Sequence, residues 1–192
     1  MSAKEDILNR YKRNVGERHA MPSLDDIDPI TYPDPLLTFK MMCQNNSANL
    51  LSVEPGRDIN EMIRECYPQA KVIASAVEGI KADLNPNTVK DASDLNGTDV
   101  GVIEAQFGVA ENGCMWVEQD VKEKAICFIS ENLVILLPKD KIFNNMHEAY
   151  RHLSFGKYNF GTFIAGPSKT ADIAQVLVIG AQAARSCTVL LV

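Results

Sequence analysis

The sequence predicts an α/β fold: an open sheet, mainly parallel or mixed, with helices on both faces. Three observations predict it. Apolar runs of strand length recur at 48–53, 71–76, 99–104, 133–137 and 188–192. Stretches of helical spacing lie between several of them, as at 57–67, where Ile59, Met62, Ile63 and Cys66 fall on one face. Leu133 to Leu137, closed by Pro138, is a near-continuous apolar run of the kind found in strands covered on both sides. Short strands separated by helices imply right-handed crossovers and a parallel arrangement.

The elements follow in order. Ser2-Ala-Lys-Glu5 is a capping box, and Ile7, Leu8 and Tyr11 follow at helical spacing, so an amphipathic helix is expected from residue 2 to about 14, docked by its apolar face. Pro22, Pro29, Pro33 and Pro35 with Asp25, Asp26 and Asp28 then resist regular structure. Residues 1–34 therefore read as a helix and connecting arm, and 35–192 as one α/β domain. Leu36 to Met41 opens a helix, 48–53 is a strand, 57–67 a helix and 71–76 a strand. After a strand at 99–104 the spacing predicts a turn or short helix through Phe107 to Glu111, then extended chain at 114–117. That stretch and 133–137 form an antiparallel-looking pair. A helix is expected at 142–153, a strand at 162–165, a helix from Thr170 to about Ile179, and a last strand at 188–192.

With 192 residues, 46% of them hydrophobic, the chain can bury one sizeable core. No apolar stretch reaches bilayer-spanning length, and Lys4, Glu5 and Asp6 stand where a secretory segment needs apolar residues, so a cytoplasmic protein is expected. Cys43, Cys66, Cys114, Cys127 and Cys187 form no Cys-x-x-Cys pair; they suit a reducing compartment and provide no local motif for zinc or an iron–sulfur cluster. The expectation is no metal and no cofactor in this chain. A net charge of −6 disfavours nucleic acid and anionic lipid.

Ligands of open α/β sheets sit beyond the carboxyl ends of the strands, and two loops are candidates for that position. The first is Gly166-Pro167-Ser168-Lys169-Thr170 with Asp172. Read as a turn into a helix start, it presents backbone amides to an anion, Lys169 adds a positive charge, and Ser168, Thr170 and Asp172 either bind the ligand or only cap the helix. The second is Ala110-Glu111-Asn112-Gly113. A carboxylate beside a glycine turn can attack an acyl carbon or move a proton, and it can equally be a solvated turn residue. Glu104 at a strand end could join Glu111, and Arg185 could pair with a ligand carboxylate. His147 and His152 stand five apart, the wrong spacing for a metal pair on one helix face. Trp116, Phe107, Phe155 and Phe160 are expected in the core.

The string Gly166-Pro-Ser-Lys-Thr-Ala-Asp-Ile173 resembles the Gly-Pro-Ser-x-Thr-Ala-Asp-Ile signature of the lactate-utilisation (LUD) domain, in its short lactate-utilisation protein C (LutC/YkgG) type. Ala110 to Gly113 is similar to that family's Ala-Glu-Thr-Gly turn and to the Ser-Glu-Asn-Gly of coenzyme A transferases, whose glutamate is a nucleophile. The chain departs from the pattern at Ala174, where the family usually has glutamate, and at Gln182, where it commonly has histidine.

The resemblance implies a fold like that of the glucosamine-phosphate deaminase, ribose-phosphate isomerase and coenzyme A transferase group. It also implies a role in oxidising L-lactate to pyruvate beside two iron–sulfur partner proteins, as an accessory or substrate-binding subunit taking a small carboxylate or anionic ligand. On that reading Glu111 is the candidate catalytic residue, and Asn112, Gly113, Gly166, Pro167, Ser168, Lys169, Thr170 and Asp172 bind the ligand. Glu104, Gln182 and Arg185 are further candidates. A stand-alone transferase-like or isomerase-like enzyme and a regulatory protein with a vestigial site are the alternatives. A homodimer embraced by residues 1–34 is a further expectation.

Overall fold

The structure is a computed structural model that describes residues 2–16, 19–20, 22–118, 120–171 and 176–192. Its centre is a five-stranded parallel sheet made of β1 (Asn49–Ser52), β2 (Ile73–Ser75), β3 (Val100–Glu104), β6 (Asn132–Leu137) and β11 (Ser186–Leu191). They lie in the order β1-β11-β6-β3-β2. The apolar run of β6 sits in the middle, as a strand buried on both faces must. Leu133, Ile135 and Leu137 enter one core, and Val134 and Leu136 enter the other.

The second face is covered by α3 (Ile59–Cys66), which contributes Met62 and Ile63. The first face is covered by α2 (Pro35–Asn45), by α4 (Ile126–Ile129) and by a second, four-stranded sheet. That sheet consists of β4 (Phe107–Val109), β5 (Met115–Glu118), β7 (Ile142–Phe143) and β8 (Gly161–Ile164), in the order β7-β4-β5-β8. Met115, Val117 and Ile164 face the main core. Phe107, Val109, Cys114 and Trp116 make an outer cluster with Ala149 of α5 (Met146–Arg151).

Local chemistry sets the helix boundaries. The capping box of α1 (Ala3–Asn14) forms in both directions, with the Glu5 amide donating to Ser2 Oγ at 3.3 Å and the Ser2 amide to Glu5 Oε2 at 2.7 Å. Pro35 opens α2, where a missing N–H costs nothing, and Asp34 Oδ1 accepts from the Leu37 amide at 2.9 Å.

Several expectations are corrected. The chain after β3 forms the strand β4, and residues 142–153 divide into β7 and α5. β5 and β6 belong to different sheets; β5 pairs antiparallel with β4 and β8. Thr170 lies in β9 (Lys169–Thr170) and residues 178–179 in β10 (Val178–Ile179), which pair antiparallel, so the expected helix is absent at both its ends; 172–175 lie outside the described residues. α1 buries none of its residues, so the expected docking by its apolar face is not formed among the described residues. Phe155 is exposed.

The buried cysteines are packing residues. Burial pushes the thiols of Cys43, Cys114 and Cys187 up to about 12 and that of Cys127 up to about 11, so they stay protonated and unreactive near neutrality. Iodoacetamide at pH 8 is expected to label the half-buried Cys66 first in the folded protein, and the other four only with denaturant; peptide mass spectrometry reads the order.

Candidate functional site

The main sheet and the second sheet part company at one short reversal. The Ala105 amide still donates to the Leu136 carbonyl of the main sheet at 2.9 Å, while the Gln106 amide donates to the Trp116 carbonyl of the second sheet at 2.8 Å. The chain therefore changes sheets between these residues, at the carboxyl end of β3. The gap that opens there is a cleft in two adjoining parts.

The inner chamber, about 200 Å³, lies between the two sheets on a floor of Val102, Ile103, Val117 and Ile126. Its polar rim is Glu78, Asn87, Glu104, Gln106, Glu118 and Asp120, and Phe160 forms part of its wall. Phe160 is thus a cleft residue and not a core one. The outer groove, about 520 Å³, runs on past the ends of β3 and β6 to the start of α3, and shares Val77, Glu78, Glu104 and Gln106 with the chamber.

Its walls are fixed by short-range bonds. Ser75 Oγ donates to the Val102 carbonyl at 3.0 Å and accepts from the Val77 amide at 3.0 Å, which turns the chain as β2 ends. Asn60 Nδ2 donates to the Gly79 carbonyl at 3.0 Å and Asn60 Oδ1 accepts from the Lys81 amide at 2.7 Å, tying α3 to the 79–81 loop. Ser154 Oγ donates to Glu118 Oε2 at 2.5 Å. Arg57, the base of the outer groove, is held by Glu61 and Glu65.

The loops that the sequence singles out lie at the opposite rim. Ala184 and Asn46, which precede β11 and β1, are their neighbours, so both sit by the amino edge of the main sheet. They do meet on one element. Asn46, at the end of α2, donates through Nδ2 to the Asn112 carbonyl at 2.7 Å, and its own carbonyl accepts from Lys169 Nζ at 3.0 Å.

The Lys169 ammonium donates also to the carbonyls of Ala165 at 2.9 Å and Pro167 at 3.1 Å, which engages all three of its protons. Partial burial lowers its pKa from the ordinary lysine value. The Ser168 amide donates to the Ala184 carbonyl at 3.0 Å, and the Gly180 amide donates to the Ser168 carbonyl at 2.8 Å. Thr170 lies in β9, so the helix end that the anion-site reading expects is not at that residue.

Gly166 explains itself by packing. Its φ is +74°, and a Cβ there would come within 2.3 Å of the Asn46 carbonyl oxygen. Gly113 likewise has φ +68° and lies against the backbone of Met42 and Cys43. Both glycines let loop backbone approach the end of α2.

The remaining candidates separate. Glu111 is half-buried, its amide donating to the Asn144 carbonyl at 3.0 Å, and it lines neither the cleft nor the groove of about 370 Å³ beneath the Gly166 loop. Gln182 lines that groove with Pro167 and Ser168. Arg185 pairs with Glu131 at 2.8 Å, and Asp172 lies outside the described residues. Glu104 stands at the carboxyl edge, in both parts of the cleft. Sequence reasoning missed Glu78, Gln106, Glu118 and Asp120. The usable signal was that each follows or closes a strand, where ligands of parallel sheets gather.

An α/β domain with its cleft at the carboxyl edge of a parallel sheet is the class that these features define. Residues 90–192, more than half of the chain, match the family model of the LUD domain. The chain belongs to the LUD domain family. A solved structure described as a DUF162 family protein from Deinococcus radiodurans is similar in fold, with a TM-score of 0.62 at 13% identity over 85% of this chain and 99% of that one. No curated protein matches the sequence. Among the described residues, no helix is long and apolar enough to cross a membrane.

Gly166→Ala is expected to cost about 2–4 kcal/mol through a strained φ and a forced shift of α2. A fall in the urea midpoint measures it; an unchanged midpoint means that the loop is not pinned as described.

Proposed function

We propose that this chain is a lactate-utilisation protein of the protein C type, a cytoplasmic accessory subunit of an L-lactate-to-pyruvate oxidation system whose electrons pass through iron–sulfur partner proteins. Membership of the LUD family carries the link to lactate. The cleft favours the accessory role over direct lactate binding. Glu78, Glu104, Glu118 and Asp120 surround it, and Arg57 is taken up by Glu61 and Glu65, so a free carboxylate meets like charge there.

The ligand of this cleft is a small molecule that brings hydrogen-bond donors to Glu104 and Gln106 and an apolar part to Val102 and Ile103. Among the described residues, neither Glu104 nor Gln106 has a side-chain partner, so both are available.

The test is reconstitution with cysteine-rich iron–sulfur partners and a dye acceptor. Adding this chain is expected to raise lactate-dependent dye reduction roughly tenfold, equivalent to about 1.4 kcal/mol of barrier. Glu104→Gln is expected to remove most of the gain without lowering the melting temperature. Full activity from the partners alone, or lactate oxidation by this chain alone, would contradict the reading.

A further inference from the structure

Helix α1 has an apolar stripe that the described residues of its own chain leave exposed. Ile7, Leu8 and Tyr11 share one side of it, and Ile7 and Tyr11 are 66% and 67% exposed. The arm that carries α1 meets the domain at Asp25, which Arg151 approaches at 3.8 Å, and is anchored further on, where Asn145 Nδ2 donates to the Ile30 carbonyl at 2.7 Å and the Tyr32 amide to Asn144 Oδ1 at 2.9 Å. Residues 15–24, between helix and Asp25, span at most about 35 Å when extended.

Charge identifies what the stripe fits. α1 contains four bases and two acids in a chain of net charge −6, so the remainder carries −8. Lys4 and Lys12 stand four residues before and after Leu8, and so border the apolar stripe. The outer groove is the complementary surface. Ile59, Ile80, Pro138 and Val192 give it an apolar lining, and Glu78 and Glu104 stand among them.

We propose that α1 of one copy seats in the outer groove of a second copy, reciprocally. Ile7, Leu8 and Tyr11 lie against the apolar lining, and Lys4 and Lys12 face Glu78 and Glu104. The exchange is closed and two-fold: each copy covers the other's groove and has its own covered, leaving neither surface open for further growth. A second copy is the occupant: among the described residues of one chain the stripe and the groove both stay exposed, they are opposite in charge, and each copy brings one of each. The proposal concerns assembly; Glu104 lines both parts of the cleft, so a seated helix borders the inner chamber, and sedimentation reads the assembly independently of any ligand there.

Sedimentation of the full chain at tens of micromolar tests it with two charge reversals. Wild type is expected at twice the 21.2 kDa chain mass. Lys4→Glu/Lys12→Glu and Glu78→Lys/Glu104→Lys are each expected to sediment as monomers, since helix and groove then repel. Mixed in equal amounts, the two variants are expected to regain a dimer, because each helix now meets a groove of opposite sign. Tyr11→Asp, on the exposed stripe, is an independent route to the monomer. A monomeric wild type, a variant that still dimerises alone, or a mixture that stays monomeric would overturn the proposal.

Discussion

The end of α2 is the point on which the layout turns. Asn46 receives both turns, one through its side-chain amide and one through its carbonyl; Lys169 ties its loop to α2 by the single bond to the Asn46 carbonyl and braces the loop itself through the Ala165 and Pro167 carbonyls. A charge-assisted bond to the last carbonyls of a helix is favourable on both counts, satisfying orphan acceptors and meeting the negative helix end. Pinned there at the amino edge, the two sheets diverge toward the carboxyl edge, where the switch between Ala105 and Gln106 leaves the cleft.

This division of labour gives a signature motif a structural meaning. Gly166 and Gly113 provide room for backbone against backbone, and Lys169 binds the chain's own carbonyls. The polar groups that remain available gather at the other rim, on Glu104, Gln106 and the loops after β2 and β5. Their acidity points away from a bare anion and toward a ligand rich in donors, which suits a subunit that assists lactate oxidation more than one that holds the lactate carboxylate.

Much of the fold was legible. The Ser2 capping box, the helix opening at Leu36 and the uninterrupted apolar run of β6 each carry a local cause, and each forms as read, with Pro35 joining the helix as its first residue. What was not legible lacks such a cause. β7 and β9 are two residues long, too short for any periodicity, and exist because a neighbouring strand pairs with them. Ser168-Lys169-Thr170 combines residues that open helices with ones that suit strands, and pairing with β10 decides the matter. Glu104 was within reach as a strand end. Gln106, Glu118 and Asp120 also close or follow strands, but their meeting in one cleft depends on the sheet switch, a tertiary event that a strand-end position alone does not reveal.

The central claim is that ligand chemistry belongs to the carboxyl-edge cleft and not to the Gly166 loop. Site-selective blocking tests it most directly. In a Cys66→Ser background, a bulky maleimide is placed on Gln106→Cys in one protein and on Ser168→Cys in another, and each is assayed for support of lactate-dependent dye reduction with its partners. The account expects the first label to abolish support and the second to leave it intact; loss only at the loop position would contradict it.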